Sequence, residues 1–172
     1  MPKGLKQSSS IIIIGASVEE TAADTFTQSR VDLQLNPLDN EVFVVLGCNL
    51  DVGSPDLVNG KRSSTTMTLT TTSQTAMPRL SDTAVLAKAE KVAVSEFGGG
   101  DAAVGYQEQF AETPPSAMLD YIGIIATNDF FLQIKGSNNQ AARTGSAKVY
   151  GYRATADAST YAALVQSEVL TA

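Results

Sequence analysis

Short runs of alternating apolar and polar positions, rich in Thr, Val and Ile, follow one another along almost the whole chain, and one helically spaced stretch closes it. From Phe26 the period is two. Val31, Leu33 and Leu35 fall on one side and Arg30, Asp32 and Gln34 on the other, the signature of a half-buried strand. Glu41 to Val52 is the most apolar segment, with Val42, Val44 and Leu46 on one face and Phe43 and Val45 on the other, which predicts a strand in the middle of a sheet. The β-branched run Ile11 to Ile14, ended by Gly15, predicts a strand buried on both faces. Ser17 to Asp24 leaves a helical turn and a loop both open. Between Ser63 and Thr75, Met67 and Leu69 alternate with Thr66, Thr68 and Thr70. This Thr ladder predicts a solvent-facing strand surface, the alternative being a face turned to a glycan or an ice-like lattice.

Ser81 to Lys91 predicts a short helix capped by Ser81, followed by a strand over Val92 to Phe97. Ala103 to Phe110, Ala117 to Ala126, Phe130 to Lys135 and Ala147 to Ala154 predict four further strands. The punctuation is turn-like: Asn36-Pro37-Leu38-Asp39-Asn40, the Asn59-Gly60 pair, Gly98-Gly99-Gly100-Asp101 and Pro114-Pro115. After the last strand, Asp157 or Ser159 can cap a helix carrying Tyr161, Leu164, Val165 and Glu168-Val169 at helical spacing. Residues 1–10 are polar, carry Pro2 and Gly4 and precede any periodicity, so they read as a flexible arm before one domain spanning 11–172. About eight to nine strands at short, turn-separated spacing favour an all-β antiparallel sandwich or barrel over a parallel sheet. The jelly roll is the expected architecture, with a short C-terminal helix. A lipocalin-like barrel and an immunoglobulin-like sandwich remain open.

Composition narrows what such a fold could do. With 172 residues the chain suits one domain, and its 43% hydrophobic and 17% charged content is that of a folded protein. Twelve basic against eighteen acidic residues give a net charge of −6, which opposes general nucleic-acid binding. No stretch approaches the ~20 apolar residues of a membrane-spanning helix.

The chain has no His, which closes Ser-His-Asp catalysis and His-based zinc and iron sites. Cys48, the single cysteine, sits in an apolar run and reads as a small buried hydrophobe. Gly60-Lys61-Arg62-Ser63 falls short of a phosphate loop and reads as a turn with two solvated cations. Paired acids remain: Glu108 with Glu112, or Asp51 with Asp56, would serve a glycosidase if they met in space. Asp51, Ser54 and Asp56, or Asn36, Asp39 and Glu41, offer oxygens for calcium without the ordered loop pattern. Tyr150 and Tyr152 share one face of a strand and form a candidate ligand face, while core or interface is the commoner use of such rings. The expectation is a non-enzyme without a cofactor.

The whole-chain pattern, carried by Phe26 to Asp51, Ser64 to Thr72, Asp129 to Asn138 and Gly145 to Ala154, resembles the single-jelly-roll coat proteins of icosahedral viruses. The resemblance covers most of residues 11–170. It implies a self-assembling capsid subunit of a virion, whose partners are copies of itself and a second coat protein. It also implies that the arm, with Lys3 and Lys6, and the helix face of Tyr161, Leu164 and Val165 contact neighbouring subunits. Shells that hold nucleic acid directly usually have strongly basic arms. An arm with only Lys3 and Lys6 fits better a shell over an internal membrane or a second protein layer, with no direct nucleic-acid contact. A ligand- or carbohydrate-binding β-sandwich, such as an adhesin, spike or decoration module, is the alternative.

Overall fold

A computed structural model of the chain describes residues 4–97, 102–110 and 119–170. Within them lie ten strand segments, one short 3-10 helix (Pro37–Asp39) and one α-helix: β1 (Leu5–Gln7), β2 (Ile12–Glu19), β3 (Thr27–Asp32), β4 (Glu41–Val52), β5 (Lys61–Thr70), β6 (Val85–Phe97), β7 (Ala102–Phe110), β8 (Gly123–Ile125), β9 (Asp129–Ser137), β10 (Thr144–Ala156) and α1 (Ala158–Leu170). The first sheet has the order β2-β10-β4-β8, and β1 extends the same edge of β10 that β2 occupies. The second has the order β3-β9-β5-β6-β7. All pairings are antiparallel.

Apart from the added β1 and β7, the chain changes sheet at every connection but the β5–β6 hairpin. That wrapping of two facing four-stranded sheets is a jelly roll. The protein is therefore an all-β jelly-roll sandwich with one C-terminal helix.

Alternation along the strands fills the space between the sheets. Phe43, Met67, Leu69, Phe130, Leu132, Ile134 and Val149 form the heart of one buried cluster. A second, smaller cluster lies on the outer face of the first sheet, where Val42, Val44, Tyr152 and Ala154 sit beneath Tyr161, Leu164 and Val165 of α1. A β-bulge divides the two. Opposite Tyr150 and Gly151 the partners are Gly47 and Val45, which leaves Leu46 as the extra residue of β4. The bulge reverses the faces of that strand. Val42, Val44 and Leu46 point outward, whereas Cys48, Leu50 and Val52 join the inner cluster. Gly151 is required where β10 crosses this point, because a Cβ there would lie 2.6 Å from the Phe43 ring.

Several expectations change. The helix expected over Ser81 to Lys91 is the start of β6, preceded by a turn. Its alanines suggested a helix; pairing with β5, Ala87 against Leu69 and Ala89 against Met67, turns the small side chains inward and overrides that preference. Ile11 to Ile14 is not buried on both faces, since β2 is an edge strand with Ile11 62% and Ile13 60% exposed. Ser17, left between helical turn and loop, lies within β2. The strand expected from Ala117 is confined to Gly123–Ile125 among the described residues. Part of the segment read as an arm, Leu5–Gln7, pairs with Ala154–Ala156, and Leu5 is buried. The turns at 98–101 and 114–115 lie outside the described residues.

The Thr ladder is covered rather than solvent-facing at Thr68 and Thr70, while Thr66 is half-buried. Thr68 and Thr70 are fully buried beneath the connection that runs from Thr71 to Ala84. Thr68 donates to Gln133 Oε1 (2.8 Å), and Gln133 Nε2 donates to Thr70 Oγ1 (2.6 Å) and Gln28 Oε1 (3.0 Å). Gln28 Oε1 also accepts from the Gln74 amide at 2.8 Å, which latches the connection onto the sheet.

Candidate assembly surface

The chain's two ends meet on the outer side of the first sheet. Asp157 caps α1: its Oδ1 accepts from the Thr160 amide (2.8 Å) and the Ser159 hydroxyl (2.7 Å). These bonds, foremost that from Ser159, hold the Asp157 carboxyl below its usual range. Asp157 N in turn donates to the Gly4 carbonyl at 3.0 Å. Gly4, at φ +82°, leaves no room for a side chain beside Asp157 and Thr160.

Near the far end of α1, Glu168 is buried, and its two carboxylate oxygens accept from the backbone amides of Ala126 (2.9 Å) and Thr127 (2.8 Å). Burial raises its pKa, against the lowering effect of those bonds. The helix is thus fixed at its start by a cap, along its length by apolar contacts and near its end by a carboxylate clamp. Beyond the clamp, Val169 and Leu170 are exposed.

Tyr161, Leu164 and Val165 face their own chain, packed against Val42, Val44 and Tyr152. Lys6 is exposed on β1, and Lys3 lies outside the described residues. Tyr150 and Tyr152 do share the outer face of β10, but Tyr152 is only 7% exposed under α1, whereas Tyr150 is half-buried. Burial first, then the Asp120 charge, raises the Tyr152 phenol above its ordinary value. The uncovered part of this face carries Ile13, Tyr150 and Lys148, with Ile13 directly opposite Tyr150.

The candidate chemistry resolves less into a site. Asp56 accepts from the Gln140 amide (2.8 Å) and forms an ion pair with Arg143 at 2.5 Å, and these interactions lower its pKa. It is committed to holding the loops at one end of the sandwich. Asn36 and Asp39 hydrogen-bond to each other, and Glu41 accepts from the Asn36 amide and from Arg153. The oxygens of Asn36, Asp39 and Glu41 are therefore engaged by their own turn and by Arg153. The side chains of Glu108 and Glu112 lie outside the described residues. Among the described residues no group of three or more His, Cys, Asp or Glu is placed to hold a metal ion. Cys48 is buried, and burial pushes its thiol up to about 11, so it is almost wholly protonated at neutral pH.

Two structural carboxylates escaped the sequence. Glu20 is buried and accepts from the amides of Gly136 (2.5 Å) and Arg143 (2.9 Å), joining the ends of β9 and β10 to the end of β2. Neither it nor Glu168 stands in a motif. For Glu168 the available signal was its place on the apolar stripe of a helix; Glu20 offered none.

No protein-family model matches the chain, and no curated protein sequence matches it. Among solved structures, a tailspike protein from Acinetobacter baumannii bacteriophage Fri1, a capsular polysaccharide depolymerase, is similar to it at 13% identity and a TM-score of 0.14. The likeness covers 76% of this chain and 21% of the tailspike.

Proposed function

We propose that the protein is a self-assembling structural subunit, the coat protein of an icosahedral virion. The observation that carries this reading is the jelly-roll strand order around an interior filled by side chains. Jelly rolls serve as capsid, lectin and cupin domains, so the fold alone is an analogy. Here the inter-sheet space is occupied by Phe43, Phe130, Met67 and their neighbours, and the chain has no His with which to build a His-ligated metal centre. What remains for partners is the outside. Such a subunit works by lateral packing, in which modest contacts repeated under closed symmetry add up to a stable shell. The net charge of −6 fits a layer over an internal membrane or a second protein shell better than one in contact with a genome.

Because Tyr152, Thr68 and Thr70 are covered, the glycan-binding alternative turns instead to surface grooves such as one of about 470 Å³ on the second sheet. Ser64, Thr66, Lys135, Ser137 and Asn138 line it.

Electron microscopy of the concentrated full-length protein separates the two. The shell reading expects particles or a regular lattice. A chain that stays monomeric at high concentration, with no particles containing it in the source material, removes the reading's support. Retention on a glycan array that is lost in Lys135→Ala would favour the alternative.

A further inference from the structure

The edge of the first sheet formed by β2 is open, and from Ile12 to Val18 it carries none of the features by which edge strands are usually blocked. Backbone parity shows which groups it offers. Glu20 N donates to the Arg143 carbonyl (2.9 Å) and Ser9 N to the Arg153 carbonyl (3.3 Å), so odd-numbered residues of β10 turn their backbone groups toward β2. On the other side, Gly53 N donates to the Thr144 carbonyl (2.9 Å) and Ala156 N to Asn40 O (3.0 Å), so even-numbered ones turn toward β4. The register pairs Ile14 with Val149, Ala16 with Ala147 and Val18 with Gly145. The even-numbered residues of β2 are therefore bonded to β10. Ile13, Gly15 and Ser17 aim their N–H and C=O away from the sheet. Among the described residues these outward groups have no partner.

Natural edges are protected by Lys, Pro, bulges or short length. The second sheet's β3 edge follows that rule, with Arg30 paired to Asp32 (2.9 Å) and Asp129 (2.7 Å). The β2 edge does not: from Gln7 to Val18 it has no charge and no proline. On its outer face Ile11 and Ile13 are exposed, and on its inner face Ile12, Ile14 and Ala16 pack against the main cluster yet remain half-buried. An added strand would cover both rows.

We infer that β2 pairs with β2 of a second copy, antiparallel across a two-fold axis near Gly15, to join two first sheets into one. Self-pairing suits this edge because the outward backbone groups of both copies belong to odd-numbered residues. A two-fold centred on Gly15 keeps the ladder within β2, sets the outward groups of Ile13 against those of Ser17 and keeps matching faces together. It brings Gly15 beside its counterpart and places Glu19 opposite Ile11. The two Glu19 carboxylates then lie about 27 Å apart, too far to repel appreciably. This contact does not depend on the shell reading, since a dimer that never forms particles would also contain it.

The test is analytical ultracentrifugation of the full chain beside two edge variants. Ser17→Pro removes an outward N–H without touching the β10 ladder, which an edge strand tolerates. Ile13→Lys places a charge in the ladder, two residues from the axis. The wild type is expected to show a concentration-dependent dimer, and each variant to raise its dissociation constant about tenfold or more. Unchanged circular dichroism and thermal unfolding at low concentration establish that the variants fold. Amide exchange provides a readout independent of mutation, with Ile13, Gly15 and Ser17 becoming protected only as concentration rises. A wild type that remains monomeric, or a dimer that both folded variants retain, overturns the inference.

Discussion

The outer faces of the two sheets are both partly covered, by opposite chemistry. On the first sheet α1 lies on Val42, Val44 and Tyr152 through apolar contact, with polar bonds only at its two ends. On the second, the connection from Thr71 to Ala84 lies over Thr68 and Thr70, held by hydroxyl and amide groups centred on Gln133 and Gln28. An apolar seat loses stability in proportion to the surface removed. A polar latch loses little if both partners go and much if one is left alone.

The largest expected difference follows from removing a ring. Tyr152→Ala should cost about 3 kcal/mol and loosen α1, seen as a lower urea midpoint with reduced helical signal. Tyr150→Ser, two residues along on the uncovered part of the same face, should stay within about 0.5 kcal/mol. Equal effects at the two positions would mean that α1 does not seal the face.

A smaller loss is expected from the latch. Gln133→Met keeps the volume but strips the bonds to Thr68, Thr70 and Gln28, at a cost of about 1–2 kcal/mol. Limited proteolysis should then cut within residues 72–83 faster than in the wild type, while α1 stays docked. Cleavage at an unchanged rate would show that the connection is held by other contacts.

The smallest effect is electrostatic and belongs to the helix alone. Glu168 has a raised pKa in the fold, so the folded state binds its proton more tightly than the unfolded chain does. Its contribution is complete below the ordinary glutamate value of 4.5 and is lost as pH climbs through the raised value. Stability measured across that interval should fall with rising pH in the wild type and fall less in Glu168→Gln. An identical slope in the variant would assign the dependence to other groups.

The layered all-β architecture was legible because alternation of period two marks strands wherever one face is buried, as along β3; there the pattern outruns the strand, since Leu33 and Leu35 are buried past its end at Asp32 with Gln34 at φ +54° between them. The β4 bulge was not. Val42, Val44, Leu46, Cys48, Leu50 and Val52 form one unbroken apolar row in sequence, and only pairing with β10 shows that the row crosses from the outer face to the inner one. Alanines at inward positions of β6 hid a strand for a similar reason, since their preference is local and their pairing is not.

For the candidate surface, the helix face of Tyr161, Leu164 and Val165 was visible from spacing. The face it meets was not, because Tyr152 and α1 come together only through the return of the chain over its own sheet. The open edge of β2 was equally hidden. Four consecutive isoleucines read as a strand buried on both faces, and topology alone puts them at a margin.

The single extra residue at Leu46 has one more consequence, for what variation the strand can absorb. By reversing the faces of β4 it lets one apolar row furnish two separate compartments, three residues to the helix seat and three to the sandwich. Each compartment can therefore change its side chains independently of the other, provided the change of phase between them is conserved. Straightening the bulge with all its residues kept would force the row to serve a single side, whereas deleting Leu46 would leave a regular strand with Val42 and Val44 still outward and Cys48, Leu50 and Val52 still inward. In β4 the phase change between Val44 and Cys48 is thus the inherited quantity, more than any one side chain.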